Sequence, residues 1–198
     1  MDGRQVAIYR SVLPHLVQDN MDKTGQVVRP PVNVPTVVDN LWEWKRPAGY
    51  PSRRMSAFAS PTPELARSGR PEHAKVYQVD IRDGIIVAQL RGYSDSRDHP
   101  ETVTLPILLY ERLDSSWISA PMDEKDSAGR LWLPCLSQQE VDWLFAEVTE
   151  LRPLRDEVES SIHYWSDVDL IDPADPKLDP EGEIFFEAPD GYQLRPVD

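Results

Sequence analysis

"EGEIFFEAPDGYQLRPV", Glu181 to Val197, decides how this chain is read. Ile184, Phe185 and Phe186 form one strand-like apolar run, and Tyr192, Leu194 and Val197 form a second. Pro189-Asp190-Gly191 supplies turn residues between them, so the stretch predicts a β-hairpin packed on a core. Glu181 and Glu183, two positions apart at the start of the first run, would share one face of a strand. Like charges on one face repel, so the pair points to a use for negative charge at that spot.

The 198-residue chain is 40% hydrophobic and 28% charged, enough for one domain with a real core or at most two small ones. No composition shift cuts it, and a single domain over 1–198 is the expectation. Nineteen prolines against nine glycines predict rigid loops and short elements. No apolar run is long enough to span a bilayer, and MDGRQVAIYRSV lacks a signal-peptide apolar segment, so no membrane and a cytoplasmic location, of a producing or a target cell, are expected. A lone cysteine, Cys135, excludes an internal disulfide and a cysteine-based zinc site. It lies in the apolar run Leu131 to Leu136, which predicts a buried, inert thiol.

The net charge of −13 is uneven: residues 1–100 carry +3 and residues 101–198 carry −16. That balance disfavours general nucleic-acid binding, which depends on neutralising phosphates. The positive half suits a small phosphorylated ligand, and the negative half suits a basic partner.

Gln5 to Arg10 reads as a first strand. Pro35 opens a helix with Val37, Val38, Leu41 and Trp42 at helical spacing, stopped by Pro47 and Gly49. Trp42 and Trp44 are expected in the core. Arg54 to Ser60 reads as a short strand, with Met55, Ala57 and Ala59 on one face and Ser56, Phe58 and Ser60 on the other. A short helix closed by Gly69 follows, then strands over 74–81 and 84–90. Residues 102–110 are apolar and interrupted by Pro106, strand or helix. The strongest helix signal is Gln138 to Leu151: Ser137 and Glu140 make a capping box, and Val141, Leu144, Phe145 and Val148 a buried stripe. Residues 162–171 read as strand-like, and "DPADPKLDPEG" as a loop whose Asp-Pro repeats resist helix. Residues 19–34 read as a polar loop.

There is no Walker-type phosphate loop, GxGxxG, GxSxG or HExxH. The four histidines are scattered, three in polar surroundings, so surface placement is their default and no metal site is expected. The Asp-Pro loop lacks the spacing of an EF-hand.

Three stretches combine: "IYRS" on the first strand, "MSAFASPTPELA" as a strand with hydroxyls before a helix, and "EGEIFFEAPDG". Together, in this order and over most of the chain, they resemble the ADP-ribosyltransferase toxin superfamily, in the branch with an arginine, a serine-bearing strand and a Glu-x-Glu. Tyr9-Arg10 matches the family's Tyr-Arg pair. Ser60-Pro61-Thr62 stands where the family has Ser-Thr-Ser, with Pro61 for the middle Thr and Thr62 for the second Ser; Ser56 rivals Ser60 for the serine role. Glu181-Gly182-Glu183 matches the Glu-x-Glu. In a related branch an aromatic on the middle strand stacks on nicotinamide, a role for Phe58.

The resemblance implies an α+β fold of two small, mostly antiparallel sheets around an NAD cleft with flanking helices. It implies a bacterial or phage-type toxin or effector that splits the nicotinamide–ribose bond of NAD and moves ADP-ribose to a macromolecular acceptor. The transition state is oxocarbenium-like, and Glu183 would stabilise its charge and hold the ribose 2′-hydroxyl. Arg10 would grip the pyrophosphate through its planar fork, with Arg53 and Arg54 as secondary candidates. Ser60 would hydrogen-bond Glu183. Glu181 would serve the acceptor, and a Glu there goes with protein arginines in the family. A cognate immunity protein or antitoxin is an implied partner; transfer to RNA, DNA or a small molecule is the variant within the fold. The reading of a different class is an acidic interaction protein, such as an immunity protein, antitoxin or nucleic-acid mimic, carried by the −16 half and by the absence of any complete motif.

Overall fold

Short runs broken by proline and glycine turns give seven strands and five α-helices among the described residues, which are 6–17, 28–30, 32–119, 121–124, 127–172 and 175–197 of this computed structural model. In chain order these are β1 (Ile8–Val12), α1 (Thr36–Trp44), β2 (Ala57–Ala59), α2 (Pro63–Arg67), β3 (Lys75–Asp80), β4 (Val87–Leu90), α3 (Glu101–Arg112), α4 (Gln138–Glu147), α5 (Arg155–Ser160), β5 (Val168–Leu170), β6 (Glu183–Phe186) and β7 (Gln193–Pro196). The protein is thus α+β, with two small antiparallel sheets ordered β1-β3-β7 and β2-β6-β4-β5. Most of the loop expected over 19–34, together with Pro173 and Ala174 of the Asp-Pro loop, lies outside the described residues. Among the described residues no helix is long and apolar enough to cross a membrane.

The chain divides into two compact units, one of residues 1–28, 49–96 and 167–198, the other of 29–48 and 97–166. The first holds both sheets. Ile8 and Val79 from one sheet and Ala59, Ile184 and Phe186 from the other share a core closed by Tyr192. Tyr192 meets Phe186 edge-on at 5.4 Å. Here the hairpin expectation fails. β6 and β7 join different sheets, so the chain crosses between sheets after Phe186. The turn itself is present: the Gly191 N–H donates to the Ala188 carbonyl at 2.8 Å, and Gly191 takes a φ of 79°. A turn signal is local, whereas the choice of pairing partner is set by distant strands.

In the first unit Thr62 caps α2, accepting from the Leu65 N–H at 3.2 Å. Gly69 follows the last turn with φ 66°, the left-handed geometry that suits glycine after a helix.

The second unit is built on α1, whose Val38, Leu41 and Trp42 are fully buried. Trp42 stacks on Tyr164 at 4.0 Å, and Trp44 stacks on Phe145 at 4.8 Å. Asn40 donates to the carbonyls of Leu131 and Leu133 at 2.7 and 2.8 Å and accepts from the Leu136 N–H at 3.1 Å. The capping box of α4 is present, and the helix ends at Glu147 because Val148 turns extended. Residues 102–110 are helical: Leu105, Leu109 and Leu113 recur every four residues and are buried, and Pro106 sits midway along α3 on a half-buried position.

Two expectations need correction here. His15, His73 and His163 are exposed, but His99 is buried, edge-on to Trp42 at 5.6 Å and to Tyr164 at 5.3 Å. Cys135 is half-exposed, not buried, on a turn where it takes a φ of 59°. The run Leu131 to Leu136 is a 3-10 turn followed by a bend, so only some of its apolar side chains point inward.

Candidate functional site at the start of β6

Glu183 opens β6 and stands opposite Leu90 of β4. The residue before it is a glycine, and any side chain there would force its neighbours to shift. A Cβ on Gly182 would lie 2.4 Å from the Leu90 carbonyl oxygen and 2.8 Å from Gln89 Nε2. Gln89, almost fully buried, clamps the approach to the strand. Its Nε2 donates to the carbonyls of Asp179 and Gly182 at 2.8 and 3.1 Å, and its Oε1 accepts from the Asp179 N–H at 2.9 Å. Asp179 in turn accepts from Gly92 at 2.6 Å and from the Glu181 N–H at 3.0 Å. The Glu183 N–H donates to the Tyr93 carbonyl at 2.7 Å. The end of the Asp-Pro loop is therefore stitched to the β4 turn, and the stitching fixes where Glu183 begins.

The Glu183 carboxylate is 8% exposed. Oε2 accepts from the Ser96 N–H at 3.3 Å and from the Ser96 hydroxyl. Arg53 Nη2 lies 4.0 Å from the same oxygen. Oε1 accepts no hydrogen bond among the described residues. Burial pushes the carboxyl above the usual range, with Asp95 adding to the rise; the Arg53 guanidinium and the Ser96 hydrogen bonds oppose it. Arg53 is itself buried, its guanidinium 5.4 Å over the Phe58 ring. It sits on a 3-10 turn, residues 53–55, flanked by the Ser52 N–H on the carboxylate of Glu187, the residue after β6, and by the Ser56 hydroxyl on the Ser52 carbonyl at 2.7 Å.

β2 pairs with β6 as Ala57 with Phe186 and Ala59 with Ile184, so Ser60 falls next to Glu183 one step along the register. Ser60 also bridges Tyr9 of β1, with N–H to carbonyl bonds of 2.8 and 2.7 Å in both directions. Cross-strand neighbours share a face, so Tyr9, Ser60 and Glu183 form one row across three strands, away from the core face that holds Ile8, Ala59 and Ile184. Phe58 lies on the same side of β2 as Ser60, near Phe185 at 6.2 Å.

The other sequence-derived candidates lie elsewhere. Arg10 alternates to the opposite side from Tyr9, the side of Ile8, and its Nη1 donates to the Tyr192 hydroxyl at 3.1 Å. Glu181 is exposed in the turn ahead of β6 and does not extend the strand, so it shares no strand face with Glu183. The hydroxyl on Glu183 comes from Ser96 rather than Ser60 or Ser56. Arg54 is buried on the same 3-10 turn as Arg53. Nothing in the sequence marks Ser96, one serine in a charged loop; Arg53 has a signal in its place beside Arg54 and ahead of the serine-bearing strand.

Among the described residues no group of three or more His, Cys, Asp or Glu side chains is arranged to hold a metal. Comparison with known proteins found no matching family model, no matching curated relative and no matching solved structure.

Proposed function

We propose that the chain is an ADP-ribosyltransferase of toxin or effector type, acting on NAD and a protein acceptor around Glu183. What supports it above all is the carboxylate itself: it is buried at a strand start, one oxygen is fixed by Ser96, the other accepts no hydrogen bond among the described residues, and it lies in a row with Ser60 and Tyr9. In the reaction the bond from ribose C1′ to the nicotinamide nitrogen breaks. Nicotinamide leaves with the electron pair, and C1′ gains a bond to the acceptor nucleophile, which loses its proton. Positive charge builds on the ribose as the bond stretches, and an ionised Glu183 stabilises it without having to reorganise. Oε1 would accept from the ribose 2′-hydroxyl. Phe58 offers a ring for the nicotinamide. The pyrophosphate falls to Arg53, because Arg10 is turned toward Tyr192. Exposed Glu181 takes the acceptor's proton.

The test is incubation of the chain with NAD labelled on the adenylate and a cell lysate. Label entering protein, with nicotinamide released, supports the assignment. Neither label transfer nor nicotinamide release, with no NAD-dependent rise in melting temperature, rejects it.

A further inference from the structure

The outer side of α3 carries Val103, Ile107 and Tyr110 at 60%, 48% and 54% exposure. Their spacing of four and three puts them in one stripe. The helix already buries its other side through Leu105 and Leu109, so the stripe is not its core face. It runs into an aromatic group: the Tyr110 ring lies 5.5 Å from Trp117 and 6.1 Å from Trp132, and those two indoles stack at 4.3 Å. Ile118 next to Trp117 is 67% exposed. Scattered apolar residues on a surface need no explanation, but a continuous stripe ending in stacked tryptophans marks a contact surface.

The charge around it selects the partner. From Val103 to Glu124 the chain has four carboxylates, Glu111, Asp114, Asp123 and Glu124, and one cation, Arg112. Glu157 holds that cation through both its oxygens at 2.7 to 3.1 Å. A second copy would bring the same carboxylates to the same face and set −13 against −13, so charge opposes self-pairing. Anionic lipid is opposed for the same reason. We propose that the outer face of α3, with the Trp117–Trp132 stack, docks an amphipathic helix of a protein partner whose apolar side is flanked by Lys and Arg. Val103 to Tyr110 spans about 10 Å, the length over which a docked helix presents anchors at i, i+3 or i+4 and i+7. The basic flanks meet the acidic rim, which steers association. The surface needs no NAD chemistry.

The full chain is titrated with an 18-residue Leu/Lys peptide of amphipathic helical pattern, followed by tryptophan fluorescence. Saturable one-to-one binding is expected, weakened about tenfold by Ile107→Glu and by the pair Glu111→Lys/Asp114→Lys. Val103→Glu serves if Ile107→Glu alters the far-ultraviolet dichroism. Equal binding of a Leu/Glu peptide, or of a Lys/Ser peptide of the same charge, overturns the proposal. So do binding that ignores these substitutions, a sedimenting dimer broken by Ile107→Glu, and adsorption to phosphatidylcholine vesicles lost in the same variant.

Discussion

Ser96 reaches Glu183 across 87 residues of sequence and puts both its donors, the backbone N–H at 3.3 Å and the hydroxyl, on Oε2. The 3-10 turn that starts at Ser96 is in this way tied to the first residue of β6. A carboxylate held through one oxygen keeps a single orientation while its second oxygen can meet a ligand. Oriented charge acts on a transition state without the reorganisation that water would require.

Glu183→Gln is expected to lower nicotinamide release by about a hundredfold or more, because Gln keeps size and hydrogen bonding but removes the charge that the developing cation needs. NAD binding, read by melting-temperature shift, should change little. Full turnover in the variant, measured with labelled NAD, would take Glu183 out of the chemistry.

Ser96→Ala removes one of the two donors on Oε2 and leaves a buried oxygen less satisfied, which costs about 1–3 kcal/mol of stability. A merely structural serine would do no more than that. As a positioning residue it should also lower kcat for NAD cleavage at unchanged KM, and Ser96→Thr, which keeps the hydroxyl, should restore most of the loss. Steady-state kinetics of the two variants separate the cases.

Much of this was legible where the signal is local. Pro35 opens α1, Ser137 and Glu140 cap α4, and the acidic pair precedes the apolar run that became β6. What stayed hidden depends on partners far along the chain. β6 and β7 look like two arms of a hairpin, yet each found better partners in a different sheet. His99 and Glu101 stand in a charged stretch and look solvated. Trp42 buries both: its Nε1 donates to Glu101 at 2.7 Å while its ring meets His99. Arg10 and Glu183 both sit on strands that meet through Ser60, but alternation turns Arg10 the other way, and a shift of one residue in register is enough to decide that.

Arginine substitutions test the assignment of phosphate binding. Arg53→Lys is expected to weaken NAD affinity about tenfold, since an ammonium keeps the charge but loses the planar fork. Arg10→Lys should leave affinity unchanged and lower stability modestly, through the lost bond to Tyr192. Calorimetric titration with NAD reads both; the reverse ranking would return the role to Arg10.

Gly182→Ala is expected to be costly out of proportion to one methyl. The new Cβ would meet the Leu90 backbone oxygen at 2.4 Å, and backbone cannot swing aside as a flexible side chain can. Overpacking of this kind costs about 1–3 kcal/mol and would shift Glu183 away from Ser96. Urea unfolding should show the lower midpoint. NAD cleavage should fall as well.

Titration of Glu183 should move stability and activity in opposite directions. Burial raises its folded-state pKa above the ordinary value of about 4.3 held in the unfolded chain. The folded state therefore binds the proton more tightly. This contribution to stability is fully present below the unfolded pKa and is lost as pH rises through the raised folded one. The proposed reaction needs the ionised form, so nicotinamide release should climb over the same interval in which that stability falls. In Glu183→Gln both slopes should flatten: the melting temperature should lose its Glu183-dependent fall, and residual cleavage should no longer track that ionisation. Melting curves and initial rates taken from pH 4 upward, for the two proteins in parallel, test the coupling. If wild type and variant show the same pH dependence of melting, the carboxylate is not held protonated by burial. A rate that rises with pH in the variant as it does in wild type would assign the ionisation to another group.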